Sequence, residues 1–514
     1  MDAGVQKRMI TASIMLATIM QALDTTIANV ALPHMQGALN ASQEQATWIL
    51  TSYIVAAAIM TAPVGILAAK LGRKRLFMIS VAGFTVASIL CGAATGLIEM
   101  VVFRLLQGVF GAALVPLSQS VLLDINPREK HGQAMAIWGV GVMLGPILGP
   151  TLGGWLTEYY NWRWVFYINV PIGIAALAGM WFFMPETEKT QGRKFDAFGF
   201  VLLSLAIGSI QMMLDRGQSQ DWFSSTEVIV EAVLGAMALY LFVVHILTAK
   251  EHPFLDPAMF KDRNYAVSLV LMFVVGIILL SSMALLPPFL QSLMGYPVLL
   301  TGMVLAPRGV GVMIAMMIVG RLVQKVDARW LILFGLLLTA FSLYEMSLFT
   351  TSMPTSRLVY TGTIQGFGMG FVFVPLSTLA YATLAPHYRN DATAIFSLGR
   401  NIGSSVGISV VIALLASNTQ VNHEEIASTL LPFGNSAQAL SAFTTGVEGT
   451  QGAAALEMLN GEVTKQAAVI SYLNDFVLMM YVVLASVPLL SLLRKRKREE
   501  TRDEVVDEVA TAIE

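Results

Sequence analysis

Fourteen stretches of this chain run apolar for about eighteen residues or more, each parted from the next by a polar segment. A bilayer core about 30 Å thick offers no water to backbone N–H and C=O groups, so a run of that length has to be a helix that satisfies its own. An outer-membrane barrel would instead alternate over strands of roughly ten residues. The spans are expected near 9–32, 46–69, 76–96, 99–123, 133–156 and 164–184, then 197–214 and 226–248. The last six are expected near 265–286, 300–320, 330–350, 358–383, 391–416 and 467–493. Only 12% of the 514 residues are charged, and a soluble domain uses roughly 25%. A water-soluble surface of that size is excluded. The single cysteine, Cys91, rules out an internal disulfide and a cysteine-built metal site, and the six histidines show no metal-ligand spacing. A net charge of −2 gives no reason to expect a nucleic-acid partner.

The distribution of Lys and Arg sets the expected orientation. With the N-terminus in the cytoplasm, 24 of the 31 basic residues fall on inner segments, four on outer ones (Arg163, Arg216, Arg357, Lys465) and three within spans (Arg104, Arg308, Arg400). Span 1 follows Lys7-Arg8 without a small-residue cleavage site, so it reads as a span rather than a removed signal peptide. An internal repeat explains the helix count. Span 4 reads Gly111-Ala-Ala-Leu-Val115-Pro116-Leu117-Ser118 and span 12 reads Gly370-Phe-Val-Phe-Val374-Pro375-Leu376-Ser377, at an offset of 259. Corresponding positions thus lie eight spans apart. The expected organisation is a six-helix bundle over 1–184, an inserted transmembrane pair over 185–250, a second six-helix bundle over 265–493 with an outer loop at 417–466, and a charged tail at 494–514. Two related halves with a site at their interface are transporter architecture.

Four motifs carry a family resemblance over nearly the whole chain. The loop after span 2 reads Gly65-Ile-Leu-Ala-Ala69-Lys70-Leu-Gly72-Arg73-Lys74-Arg75; span 4 holds Arg104-Leu-Leu-Gln107-Gly108. Span 5 reads Gly141-Val-Met-Leu-Gly145-Pro146-Ile-Leu-Gly149-Pro150-Thr-Leu-Gly153-Gly154, with a glycine every four residues along one face. The end of span 1, Leu23-Asp24-Thr25-Thr26, and the start of span 6, Trp162-Arg163-Trp164 through Asn169-Val-Pro171, complete the set. Together they resemble the major facilitator superfamily, and within it the fourteen-span drug:proton antiporters of the EmrB/QacA type.

The resemblance implies a major facilitator fold and export by alternating access, driven by protons and needing no cofactor. Gly65, Gly72 and Arg73 would then belong to a conformational switch, although the aspartate usual in that loop is Ala69 here. Gly141, Gly145, Pro146, Gly149, Pro150 and Gly153 would form a hinge and a seal against the other half. Asp24 lies about fifteen residues into span 1, too deep for a loop residue, and with Arg104 is expected to couple proton movement to transport. A static ion pair, or an Arg104 that snorkels to the interface, is the other reading. Gln107, Arg308, Glu345, Arg400 and Asn401 are further polar residues within spans and are expected to meet substrate, a structural ion pair with an acid being the equal reading for Arg308 and Arg400. The type also implies amphipathic small-molecule substrates, a bacterial inner membrane, and a periplasmic adaptor with an outer-membrane channel, for which the loop at 417–466 is the natural docking surface. A stretch such as Gly452 to Leu459 within it has the pattern of a short amphipathic helix. A dedicated exporter of one metabolite, siderophore or fatty acid is the alternative within transport. A receptor has no evident need for buried charges in paired halves, and no nucleophile–base set supports an enzyme. If the orientation is right, a tag placed after residue 494 will be cut by protease in inside-out vesicles and protected in right-side-out ones; the reverse pattern would overturn it.

Overall fold

The computed structural model of the chain describes residues 3–186, 195–248, 254–385, 388–429 and 450–494. Among them, thirteen helices are long and apolar enough to cross a bilayer, and a bent pair supplies a fourteenth crossing. In order, spans 1 to 7 are Gly4–Ala38, the pair Gln45–Thr61 and Val64–Leu71, Arg73–Ala93, Leu97–Asp124, His131–Tyr159, Trp164–Phe183 and Ala197–Arg216. Spans 8 to 14 are Thr226–Thr248, Arg263–Leu293, Leu300–Leu322, Ala328–Met346, Thr355–Ala382, Arg389–Ser428 and Glu457–Leu492. Span 2 bends by 59° at its break, where Pro63 removes a backbone donor and precedes the second segment. Fourteen crossings put both termini on one side of the membrane, called here the terminal end; the opposite side is the distal end.

Spans 1–6 pack on one another, as do spans 9–14, while spans 7 and 8 form a hairpin whose first helix leans on spans 2 and 13. The repeat seen in spans 4 and 12 also appears as a pattern of burial. Positions 162–182 and 472–492 follow the same succession of buried, half-buried and exposed residues, so Trp162 matches Tyr472 and Phe166 matches Phe476. Spans 6 and 14 therefore hold equivalent places, again eight spans apart. Span 7 straddles the seam between the halves. Asp215 accepts from the Thr51 hydroxyl of span 2, and Gln211 donates to Ser405 Oγ of span 13 at 2.8 Å. On the terminal side, Asp196 caps span 7 by accepting from Gly199 N–H (2.8 Å) and also accepts from Phe254 N–H (3.1 Å) and pairs with His245. Burial pushes the Asp196 carboxyl up, but those donors outweigh it and hold the group below its ordinary value.

Two expectations change. The outer loop at 417–466 is, wherever described, helix: span 13 belongs to a helix running Arg389–Thr429 and span 14 to one running Thr450–Ser486. Forty-one residues extend about 60 Å, twice the bilayer core, so the pair projects beyond the membrane. Asn422 Nδ2 donates to Ser471 Oγ at 3.0 Å and His423 meets Asn460 at 2.9 Å, and this pairing lets each helix continue past the lipid. The short helix expected over Gly452 to Leu459 is thus part of one long helix. Residues 430–449 and the tail beyond Arg494 lie outside the described residues.

The second change concerns the glycine face of span 5, which packs on span 1 rather than on the other half. Cβ atoms added at Gly145 and Gly149 would collide with Ala22 and Thr26, and one at Gly153 would sit 3.3 Å from Val30. The reason is the spacing itself: a four-residue glycine face permits backbone approach, and Thr26 Oγ1 uses it to donate to Gly145 O at 3.0 Å. Replacing Gly145 with valine should therefore lower the thermal midpoint of the purified protein by several degrees or more. Gly154→Ala, at a position with open space around it, should leave the midpoint unchanged.

Candidate functional site

The polar centre of the first half is a carboxylate enclosed by three donors from two other spans. Asp24, on span 1, is 1% exposed, as is Arg104 on span 4, and Arg104 Nη1 reaches Asp24 Oδ2 at 2.8 Å. The other oxygen, Oδ1, accepts from Gln107 Nε2 and from Asn169 Nδ2 of span 6, both at 2.8 Å. Arg104 is held as firmly: Nη1 also donates to Gln107 Oε1 at 2.7 Å, Nε donates to Ile49 O of span 2 at 3.2 Å, and the guanidinium lies 4.3 Å from the Tyr53 ring centroid. Asn169 is aligned in turn by Ser88 Oγ of span 3, 2.9 Å away. The guanidinium turns inward and does not reach the interface. Helical spacing explains the grouping on span 4, because Arg104 and Gln107 are three residues apart on one face.

This arrangement matches a buried cation with a buried carboxylate. An ionised Asp24 completes four charge-assisted contacts around a buried cation. A protonated Asp24 cancels the charge that keeps Arg104 in place. Gln107, expected to meet substrate, is a fully buried strut with both ends of its amide engaged here.

The comparisons with known proteins fit this geometry. The family model described as Major Facilitator Superfamily matches residues 14–418. The chain is 35% identical over 470 residues to the multidrug export protein EmrB of Escherichia coli K12, covering 91% of each chain. It is also 35% identical over 462 residues to the fatty acid resistance protein FarB of Neisseria gonorrhoeae, covering 90% of this chain and 91% of that one. The chain belongs to the Major Facilitator Superfamily. It is a multi-pass membrane transporter related to EmrB-type multidrug exporters, and not an enzyme. Two solved structures share the fold at low identity. The human organic anion transporter MFSD10 aligns at TM-score 0.57 and 14% identity over 93% of this chain and 99% of its own. The proton:xylose symporter XylE aligns at TM-score 0.60 and 13% identity over 96% of this chain and all of its own.

In this superfamily fold the two halves meet at the terminal end. Asp124, closing span 4, pairs with Arg73 of span 3 and with Arg389 Nη1 of span 13 at 2.7 Å. Ser120 Oγ donates to Asn390 Oδ1 at 2.6 Å, and Gln324 Nε2 donates to Glu129 O at 2.9 Å. Trp138 of span 5 stacks on Phe373 of span 12 at 5.6 Å, and the backbones of spans 5 and 10 approach where Gly320 meets Ala136. Gly72 takes φ +86°, the left-handed turn that sends span 2 back as span 3 and presents Arg73 to Asp124. Ala69 supplies no acid, but span 13 brings one to the start of the same short helix: Asp391 packs on Gly65, seven residues before Gly72, where any side chain would collide with its carboxylate.

The remaining residues scatter. Glu345 lies at the distal end of span 11, paired with Arg357 of span 12 at 3.1 Å. Arg308 is buried and donates to Ser282 Oγ (2.7 Å) and Leu279 O (3.3 Å) of span 9, with no carboxylate in salt-bridge range among the described residues. Arg400 and Asn401 sit half-buried on span 13. The backbone of span 5 stays helical through Pro146 and Pro150. Sequence reasoning missed the role of Asn169, which it placed only in the span 6 motif, and passed over Asp124 and Arg389, which look like ordinary loop-edge charges. It also passed over Asp475, an acid 1% exposed within span 14 whose Oδ2 has no hydrogen-bond partner among the described residues. An acid inside an apolar run was the available signal. Cysteines at positions 120 and 390, bridged by a short thiol cross-linker in a Cys91→Ala background, should hold the terminal end shut and reduce transport at least tenfold. Normal flux in the cross-linked protein would show that the contact does not open.

Proposed function

We propose that this chain is a proton-driven efflux antiporter for amphipathic compounds, working by alternating access in a bacterial inner membrane with both termini in the cytoplasm. The observation that carries the reading is the Asp24 enclosure: a titratable carboxylate, removed from water, whose charge is the sole counter-ion recorded for the buried Arg104 among the described residues. Span 4 gives that charge a long reach. Its distal part holds Arg104 and Gln107, and its terminal part holds Ser120 and Asp124, twenty residues or about 30 Å from Arg104. Protonation of Asp24 from the distal side loosens Arg104 and with it the rod whose other end grips span 13. Release of the proton to the cytoplasm restores the pair.

In this reading Gly65, Gly72 and Arg73 act with Asp124 and Asp391 as the terminal latch. The glycine face of span 5 acts as the bearing on which span 1 moves. Substrate would occupy the space between the halves, which Arg308, Arg400 and Asn401 of the second half approach from spans 10 and 13. The paired helices projecting from spans 13 and 14 provide the docking surface for a periplasmic adaptor and its outer-membrane channel. A dedicated exporter of a single compound class is the second reading, favoured by the similarity to a fatty acid resistance protein at the same 35% identity.

Proteoliposomes with an imposed pH gradient test the coupling. Asp24→Asn should abolish gradient-driven flux of a cationic dye by at least a hundredfold while keeping gradient-independent substrate exchange. Asp24→Glu should retain part of both. Unchanged gradient-driven flux in the asparagine variant would overturn the assignment. Arg104→Ala removes one partner of a buried pair and is expected to cost about 3–5 kcal/mol of stability, seen as a lowered thermal midpoint.

A further inference from the structure

We infer that Arg400 forms, with Tyr381, Ser397 and Asn401, a binding site for the anionic head of an amphipathic organic acid. The inference rests on the efflux reading above and names a substrate class for it. The two halves treat their intramembrane cations differently. Arg104 of the first half is matched by Asp24 at 2.8 Å, whereas the side chain of Arg400 makes no hydrogen bond or ion pair among the described residues. Arg400 is eleven residues into span 13, about 16 Å from Arg389 along the axis, and it is only half-buried. An unmatched guanidinium at that depth is costly, which favours a position facing water-filled space or a ligand of opposite charge.

The groups around it are donors in search of an acceptor. Tyr381 of span 12, 2% exposed with its hydroxyl unpartnered, interacts electrostatically with Arg400 and is fixed by an edge contact of its ring with Phe396 at 5.5 Å. The Ser397 hydroxyl, 3% exposed and also unpartnered, lies three residues before Arg400 on the same face of span 13. Asn401 follows directly, its carbonyl taken by Ser405 and its side-chain amide unused among the described residues. Nearby acids are engaged elsewhere. Asp391 is nine residues away, about 13 Å along the helix, and packs on Gly65 of span 2; Glu345 is tied to Arg357 at the distal end. One cation, two buried hydroxyls and an amide, with no carboxylate among them, match the several acceptor oxygens of a carboxylate or sulfonate. A cationic head would meet only repulsion from Arg400.

Two permanently charged probes with the same tail, dodecane sulfonate and dodecyltrimethylammonium, separate the outcomes in proteoliposomes bearing the full chain. Wild type should transport the sulfonate. Arg400→Gln should raise its KM at least tenfold and change that of the ammonium by a much smaller factor, Arg400→Lys should recover part of the difference, and Tyr381→Phe should raise the sulfonate KM about threefold. Equal handling of the sulfonate by wild type and Arg400→Gln, or equal loss of both probes, would overturn the site. Wild type that moves the ammonium but not the sulfonate would also overturn it and leave the efflux reading standing. Should wild type move neither probe, the efflux reading fails. Equilibrium binding of dodecane sulfonate to the purified protein then decides the site alone: tenfold weaker binding by Arg400→Gln supports it, and equal binding overturns it.

Discussion

A bilayer gives a buried charge nothing to bond to, and the fold of this transporter is organised around meeting that constraint at Asp24 and Arg104. Neither residue can be satisfied by its own helix. The pair therefore draws in Gln107 from span 4, Asn169 from span 6, the Ile49 carbonyl from span 2 and, through Ser88, span 3. Five of the six helices of the first half meet at one carboxylate in this way. The sixth, span 5, joins through Thr26, two residues after Asp24 on span 1, which donates to Gly145 O. An interaction of that kind contributes modestly to stability when intact and costs heavily when one partner is removed. That asymmetry is what the proposed coupling of Asp24 to transport relies on.

The same logic runs along span 4 to the terminal end. There the charges are half-exposed and the contacts numerous but individually weak: an aspartate shared by two arginines, a serine–asparagine bond, a stacked Trp138–Phe373 pair. Contacts of this type can be broken and remade without leaving a charge stranded in lipid. The firm cluster lies deep in the membrane and the loose one lies at its edge. Ala69 stands where the usual loop acid would, yet this edge keeps an acid, because Asp391 of the opposite half packs at the start of the Val64–Leu71 helix, where Gly65 leaves room for it. Among the described residues the second half shows the converse pattern, with the Arg400 side chain and Asp475 Oδ2 unmatched and the hydroxyls of Tyr381 and Ser397 unpartnered. The organic-acid site proposed above draws on that unused polar capacity.

Much of this was legible before any coordinates. Apolar runs set the helices, since in lipid only a helix satisfies an isolated segment, and lysine and arginine placement set the expected sidedness. The offset of 259 between Gly111 and Gly370 set the six, two, six arrangement, which the burial of spans 6 and 14 repeats. Asp24 stood out because acids inside apolar runs are rare. The partner of the glycine face was not legible: Gly141, Gly145, Gly149 and Gly153 announce a close approach but carry no side chain to say to whom. Nor was the role of Gln107, whose amide suits a substrate as well as it suits a carboxylate. The loop at 417–466 was misjudged because polar composition reads as connector, and only the pairing of Asn422 with Ser471 shows two helices supporting each other beyond the membrane.

Local chemistry, then, determined how many times the chain crosses, which way each helix is expected to run and which residues are too costly to be idle. Those are properties of one segment in one solvent. The tertiary structure decided which costly residues meet: Asp24 with Arg104 and Asn169, Asp124 with Arg389, and Arg400 with no acid at all among the described residues. Such pairings depend on the rotation and height of helices separated by tens or hundreds of residues. No single segment encodes them.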